Sequence, residues 1–123
     1  MRKCRITVLK CDMKPDFVHK YMPGMPVIPC HCMHEGDVFI TEGPFGCEIP
    51  QGFCPNAWES FSDEAWVIAS GGNVHNSGEN IYVACCTDGA RPVTFLMEPY
   101  EDGTKPKAMP TLKELEEMKN GQS

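Results

Sequence analysis

Proline and glycine interrupt this sequence so often that only the run from Pro55 to the Gly71-Gly72 pair has room for a helix of full length. Pro55 suits a first helical position, because the N–H it lacks would have no partner inside the helix. Ala57, Trp58, Phe61, Ala65 and Ile68 then recur at helical spacing. The polar triplet Ser62-Asp63-Glu64 is expected to split this run into two pieces with slightly different axes. A chain of 123 residues has enough material for one hydrophobic core and too little for two ordinary domains, so this helix must cover whatever sheet the rest of the chain makes.

The strands come from shorter runs. Arg5-Ile6-Thr7-Val8-Leu9 alternates and predicts a first strand with Ile6 and Val8 on one face. A short helix follows, opened by Pro15, with Phe17, Val18 and Tyr21 on one side and Pro23-Gly24 as its stop. Residues 23 to 34 hold three prolines and no usable period, which predicts an extended loop. Strand character resumes over Gly36 to Thr41, and two further runs, Ile81 to Cys86 and Pro92 to Met97, flank an Asp88-Gly89 hairpin signal. The order is β-α-β-α-β-β, an α+β domain with a mostly antiparallel sheet on one main helix. This body is expected over residues 1–100, with a polar tail over 101–123. In that tail Thr111 and Glu114 make a capping-box pattern ahead of a Leu112, Leu115 and Met118 stripe, which would dock on the body or meet a partner.

Eight cysteines in so short a chain would suggest a disulfide framework in a secreted protein. The apolar run near the N-terminus, Ile6 to Leu9, is far shorter than a signal peptide's core, so a reducing cytoplasmic setting is expected, with free thiols. About half of them are expected to be packing residues, since cysteine is among the side chains most often buried. The net charge of −6 hides an uneven distribution. Residues 1–20 carry six basic side chains, whereas residues 21–97 carry nine acids and a single base, Arg91. An acidic body of this kind repels phosphate backbones and anionic lipid, which argues against nucleic-acid and membrane-surface partners.

Three cysteine groups stand out. Cys30-His31-Cys32 lies in the predicted extended loop, where residues two apart project to the same side and two thiolates can grip one metal ion, with His34 nearby as a further donor. No C-x-x-C knuckle of the common zinc signature exists in the chain. Cys54 precedes Pro55 at the expected start of the main helix, where free backbone N–H groups and the helix dipole favour an anion, so it is a candidate nucleophile or ligand. A capping thiol packed under Trp58 is the alternative. In the pair Cys85-Cys86 the two side chains face opposite ways. Cys86, beside Asp88 and Arg91, is the functional candidate, and Cys85, which shares a face with Ile81 and Val83, is expected in the core. Arg91 would hold a carboxylate or phosphate, or else pair with Asp88 across the turn. Asp88 could manage protons.

At Gly52-Phe53-Cys54-Pro55-Asn56-Ala57-Trp58, at Gly71-Gly72 and at Cys86-Thr87-Asp88-Gly89-Ala90-Arg91-Pro92-Val93, the sequence resembles a family of short, uncharacterised prokaryotic proteins with a GFCP-x-AW, GG and CTDG-x-RPV pattern. The resemblance covers roughly residues 3 to 98. Members also carry a cysteine a few residues ahead of the Gly-Asp that opens the second strand, a place that Cys30 fills ahead of Gly36. The resemblance therefore implies the set Cys30, Cys54 and Cys86, together with a fold neighbourhood and no mechanism. His31 and Cys32 stand where relatives tend to have proline, and the tail runs past their usual end.

Three functions compete at this point. One is a protein binding zinc or an iron centre, including iron–sulfur, through Cys30, Cys32, Cys54 and Cys86 with His34, and acting on a small anionic ligand held by Arg91. Another is metal-free thiol chemistry with Cys54 as nucleophile and Cys86 or Cys30 resolving it. The last is an accessory subunit or homo-oligomer whose cysteines only pack.

Overall fold

The computed structural model describes residues 1–105 and 110–121. Of the tail expected over 101–123, residues 106–109 and 122–123 therefore lie outside the described residues. The elements run β1 (Arg2–Cys11), α1 (Pro15–Tyr21), β2 (Val38–Ile40), α2 (Pro55–Ala69), β3 (Tyr82–Cys85), β4 (Val93–Glu101) and α3 (Leu112–Asn120), with a short 3-10 turn at Pro44–Gly46. This is the expected α+β order, and the short helix that the capping-box pattern allows in the tail is present as α3. All three strand pairings are antiparallel and give one four-stranded sheet in the order β2-β1-β4-β3.

Alternation along the strands explains why one face is core. Phe39, Ile6, Met97 and Tyr82 lie in one row across the four strands, and Val8, Phe95 and Ala84 in the next. These residues belong to or pack on a single core cluster. The adjacent row, Val38, Thr7, Leu96 and Val83, points the other way, and its end members Val38 and Val83 are more than half exposed. Cys85 sits on that outer side and is exposed, which corrects its expected place in the core. The Ile81, Val83 and Cys85 face is apolar in sequence, yet the main helix covers the other one.

β1 is twice as long as the alternating run suggests, because the charged residues flanking that run leave its backbone free to pair with β4 from Arg2 through to Cys11. The register slips by one residue between Val8 and Lys10. A bulge reverses the facing of everything after it. Cys11 is therefore paired with Val93 and packs on the core side, where unbroken alternation would have sent it outward.

α2 lays Ala57, Phe61, Ala65, Ile68 and Ala69 onto the sheet, spaced four, four, three and one residues apart as a helix stripe requires. Its irregular point is Phe61 (φ −143°, ψ 17°), one residue before the expected break at Ser62, and the element continues through it. The C-terminus closes as a Schellman motif. Gly72 N–H donates to Val67 O at 2.9 Å and Gly71 N–H to Ile68 O at 3.1 Å, with Gly71 at φ +89°. Asn80 reinforces this end by donating its side-chain amide to Ile68 O (3.0 Å) and Gly72 O (2.9 Å).

Phe53 is the hub of the core. Its ring meets Phe39, Phe95, Phe61 and Trp58 at centroid distances of 5.0, 5.4, 5.9 and 6.5 Å, so one side chain joins β2, β4 and both turns of the α2 entrance. Gly52, at φ +76°, turns the chain so that Phe53 enters the core directly ahead of the helix. α1 differs from expectation in its packing. Only Val18 is buried, while Phe17 and Tyr21 are exposed and stack on each other at 6.2 Å. α3 has the full capping box between Thr111 and Glu114, and Leu112, Leu115 and Met118 are all exposed. No helix among the described residues is long and apolar enough to cross a membrane.

Replacing Phe53 by Ala removes a ring shared by four aromatic neighbours, and the expected loss is about 3–5 kcal/mol of unfolding free energy, read from urea denaturation. A loss under about 1 kcal/mol would mean that the other rings hold the core without it.

Candidate functional site

The loop over residues 23–37 has no regular structure, and its second half is tied to β1. Gly36 N–H donates to Val8 O and Val8 N–H to Asp37 O, both at 2.8 Å, and Cys11 N–H donates to the Glu35 carboxylate at 3.1 Å. Met33 drives its side chain into the core and is 3% exposed, while its carbonyl accepts from the Cys11 thiol at 3.4 Å. With Met33 pinned, Cys30 and Cys32 are held beside the entrance of α2. The loop that lacked any period in sequence is thus fastened by one buried methionine and the backbone of β1.

Cys54 is the N-cap of α2, in extended conformation, and its carbonyl accepts from Trp58 N–H at 3.0 Å. Pro55 follows at the first helical position, and the amides of Asn56 and Ala57 come next, where a helix offers no internal acceptor. Cys86 comes from the end of the β3–β4 hairpin. Its Sγ accepts the Val93 N–H at 3.3 Å, which fixes the sulfur against the start of β4.

These pieces line one cavity of about 410 Å³, within the roughly 300–1,000 Å³ usual for small-molecule sites. Cys30, Cys32, Cys54 and Cys86 all reach it, as do Asp88 and Arg91, while Val93 and Phe95 supply part of its apolar wall. Six of the seven nominated residues are thus brought together. The seventh, His34, does not line the cavity. It is exposed, its Nδ1 lies 3.7 Å from the Asp37 carboxylate, and its backbone N–H donates to the same carboxylate.

The turn after Cys86 decides what Asp88 does. Its Oδ1 accepts from the amides of Ala90 and Arg91, each at 3.0 Å, and its Oδ2 accepts from Arg91 Nε at 3.2 Å. Burial works to raise the Asp88 carboxyl, but the two backbone N–H groups and the guanidinium outweigh it and hold the group below the usual carboxylate range. Asp88 is therefore ionised at neutral pH and occupied by the turn, which makes it a positioning residue for Arg91 in place of the proton carrier expected from sequence.

The thiols differ in environment. Burial pushes the Cys4 thiol up to about 12, which makes it an inert core residue. Cys32 is raised chiefly by the charge of the neighbouring Cys30, then by burial, and Cys54 contributes as well. Cys11 is raised by burial first, then by Glu35 and Cys30. Cys85 is raised by burial and by Cys86. Cys47 is exposed and does not line the cavity. All eight cysteines are free. Among the described residues, no group of three or more His, Cys, Asp or Glu side chains is disposed to hold a metal ion.

No family model, curated protein or solved structure matches this chain. The chemistry of the cavity is consequently argued from its own residues. Beside His34 the sequence offers Met25 and Met33 as further soft donors, but Met33 is buried in the core and fastens the loop, and Cys11, which the bulge turns inward, is not marked in the sequence at all. The signal for Met33 was its place as the lone large apolar residue between Cys32 and His34, whereas no sequence signal marks a one-residue bulge. Asn56 was also missed, though its position two residues after an N-cap is a cue to a free amide.

Since the raised Cys32 owes most to Cys30, replacing Cys30 by Ser should return its titration toward that of an ordinary thiol. The midpoint of its alkylation against pH, followed by mass spectrometry of the Cys32 peptide, is expected to move to lower pH. An unmoved midpoint would show that the two sulfurs do not sense each other.

Proposed function

We propose that this chain is a small cytoplasmic thiol protein whose cavity performs nucleophilic sulfur chemistry at Cys54, with Cys86 or Cys30 as the second sulfur. One observation carries this reading: thiols from three distant segments of the chain line a single cavity beside the N-terminus of α2 and Arg91. They do so without forming a group disposed to hold a metal among the described residues. The attacking sulfur would be that of Cys54, the N-cap residue of α2, whose side chain makes no capping hydrogen bond, and a compact anionic ligand would be held by Arg91. The resemblance to the GFCP-x-AW and CTDG-x-RPV family is part of the same proposal, because the cysteines it nominates are cavity residues. The net charge of −6 speaks against nucleic-acid and membrane-surface partners, and the exposed stripe of α3 offers a surface for a second copy of the chain.

Site-resolved alkylation with iodoacetamide tests the nucleophile. Cys54 is expected to react at neutral pH faster than a small model thiol by about tenfold, as a cysteine at a helix start does when its thiolate is favoured. A rate no higher than that of the model thiol removes the basis of the reading.

Metal binding is the second reading, and the shared place of Cys30, Cys32, Cys54 and Cys86 on one cavity favours it, because several soft donors line the same space. Zinc or an iron centre, iron–sulfur included, would need Cys54 and Cys86 to draw in toward Cys30 and Cys32, at metal–sulfur distances of about 2.3 Å. Protein purified without oxygen and submitted to elemental analysis and absorption spectroscopy decides between the two. Stoichiometric zinc or iron would establish the metal reading, and colourless, metal-free, folded protein would end it.

A further inference from the structure

The polar half of the cavity says more about its ligand than the sulfurs do. Arg91 lines it with only 20% of its side chain exposed, and its Nε is committed to Asp88 at 3.2 Å. Asp88 is in turn held by the two turn amides, so the guanidinium is fixed in place from one edge. Its two Nη groups have no acceptor among the described residues. A planar guanidinium that is anchored at Nε and open at Nη presents the paired donors that a carboxylate or similar oxyanion accepts. Arg91 is also the only Lys or Arg side chain that lines the cavity among the described residues. The rest of the wall mixes the sulfurs of Cys30, Cys32, Cys54 and Cys86 with apolar surface and the polar side chains of His31, Asn56 and Thr87.

From this combination we infer that the cavity takes a small disulfide that carries a carboxylate, with the oxyanion on Arg91 and the sulfur–sulfur bond at Cys54. The inference rests on the thiol reading above. The step balances without any further reagent. The Cys54 thiolate attacks one sulfur of R–S–S–R, the S–S bond breaks as a Cys54–S–S–R bond forms, and R–S⁻ leaves and takes a proton from water. The ligand supplies the oxidising equivalents, and the protein is left as a mixed disulfide. A second thiol of the cavity then attacks Cys54 Sγ, which closes a protein disulfide and expels the other R–S⁻. In total two protein thiols are oxidised by two electrons and one ligand disulfide is reduced to two thiols.

Three disulfides of similar size separate charge from sulfur chemistry: dianionic 3,3′-dithiodipropionate, neutral 2-hydroxyethyl disulfide and dicationic cystamine. The rate of mixed-disulfide formation at Cys54 in the full chain is read by mass spectrometry and divided by the rate of a small model thiol with the same reagent. The dianion is expected to exceed the neutral reagent by about tenfold at low salt, with cystamine slowest. High salt should shrink this preference. In Arg91→Gln the dianion-to-neutral ratio should fall to that of the model thiol, while Arg91→Lys, which keeps the charge and loses the fork, should fall between. A wild-type ratio equal to that of the model thiol overturns the inference, as does a ratio that Arg91→Gln leaves unchanged. The salt dependence of the wild-type ratio tests the same point in a protein with no substitution. If Cys54 reacts with uncharged iodoacetamide no faster than the model thiol, the thiol reading fails first; iodoacetamide reactivity above that of the model thiol with no charge preference sinks the disulfide inference alone.

Discussion

The position of Phe53 is the constraint on which the rest of this structure depends. Its ring touches β2, β4 and the entrance of α2 together, and it is placed there by a turn at Gly52 immediately before the helix begins. Cys54 is its covalent neighbour. The nucleophile candidate therefore inherits its place from a residue anchored in an aromatic cluster of the core, where ring-on-ring contacts restrict ring rotation. A site one residue from such an anchor can keep a thiol half-buried and still aimed at a cavity.

A second consequence of the packing is a division of labour among eight chemically identical side chains. Cys4 faces α2 from the middle of β1 and is fully buried, with its proton held tightly by its surroundings. Cys47 and Cys85 are exposed away from the cavity. Cys30, Cys32, Cys54 and Cys86 line one cavity, and Cys11 lies near enough to Cys30 to be raised by it. Whether a cysteine is filler or reagent here follows from desolvation and neighbours, since nothing intrinsic to the residue separates the two groups.

The hairpin turn shows the same economy in its charges. Asp88 accepts both turn amides and Arg91 Nε, so the acid that looked free to move protons is the device that holds the base. With the carboxylate so engaged, the cation contributes its open donors to the cavity. An Asp-Gly turn signal and an arginine three residues after the acid turn out to be one structural unit.

Much of the architecture was legible in the sequence because it rests on local rules. Alternation at Ile6 and Val8, the helical stripe from Ala57 to Ile68, Pro55 at the helix start, Gly71 at its end and the Thr111–Glu114 box each depend on a few neighbouring residues, and each is realised. The nominated cysteines were also readable as candidates from their neighbours. Three features were decided only by tertiary structure. The bulge near Leu9 sends Cys11 inward, the choice of which sheet face α2 covers leaves Cys85 outside, and the burial of Met33 fastens a loop with no period. Each depends on long-range pairing of β1 with β4 or on packing across the core. Local periodicity cannot express such contacts, because the energy of burying a face depends on what arrives to cover it.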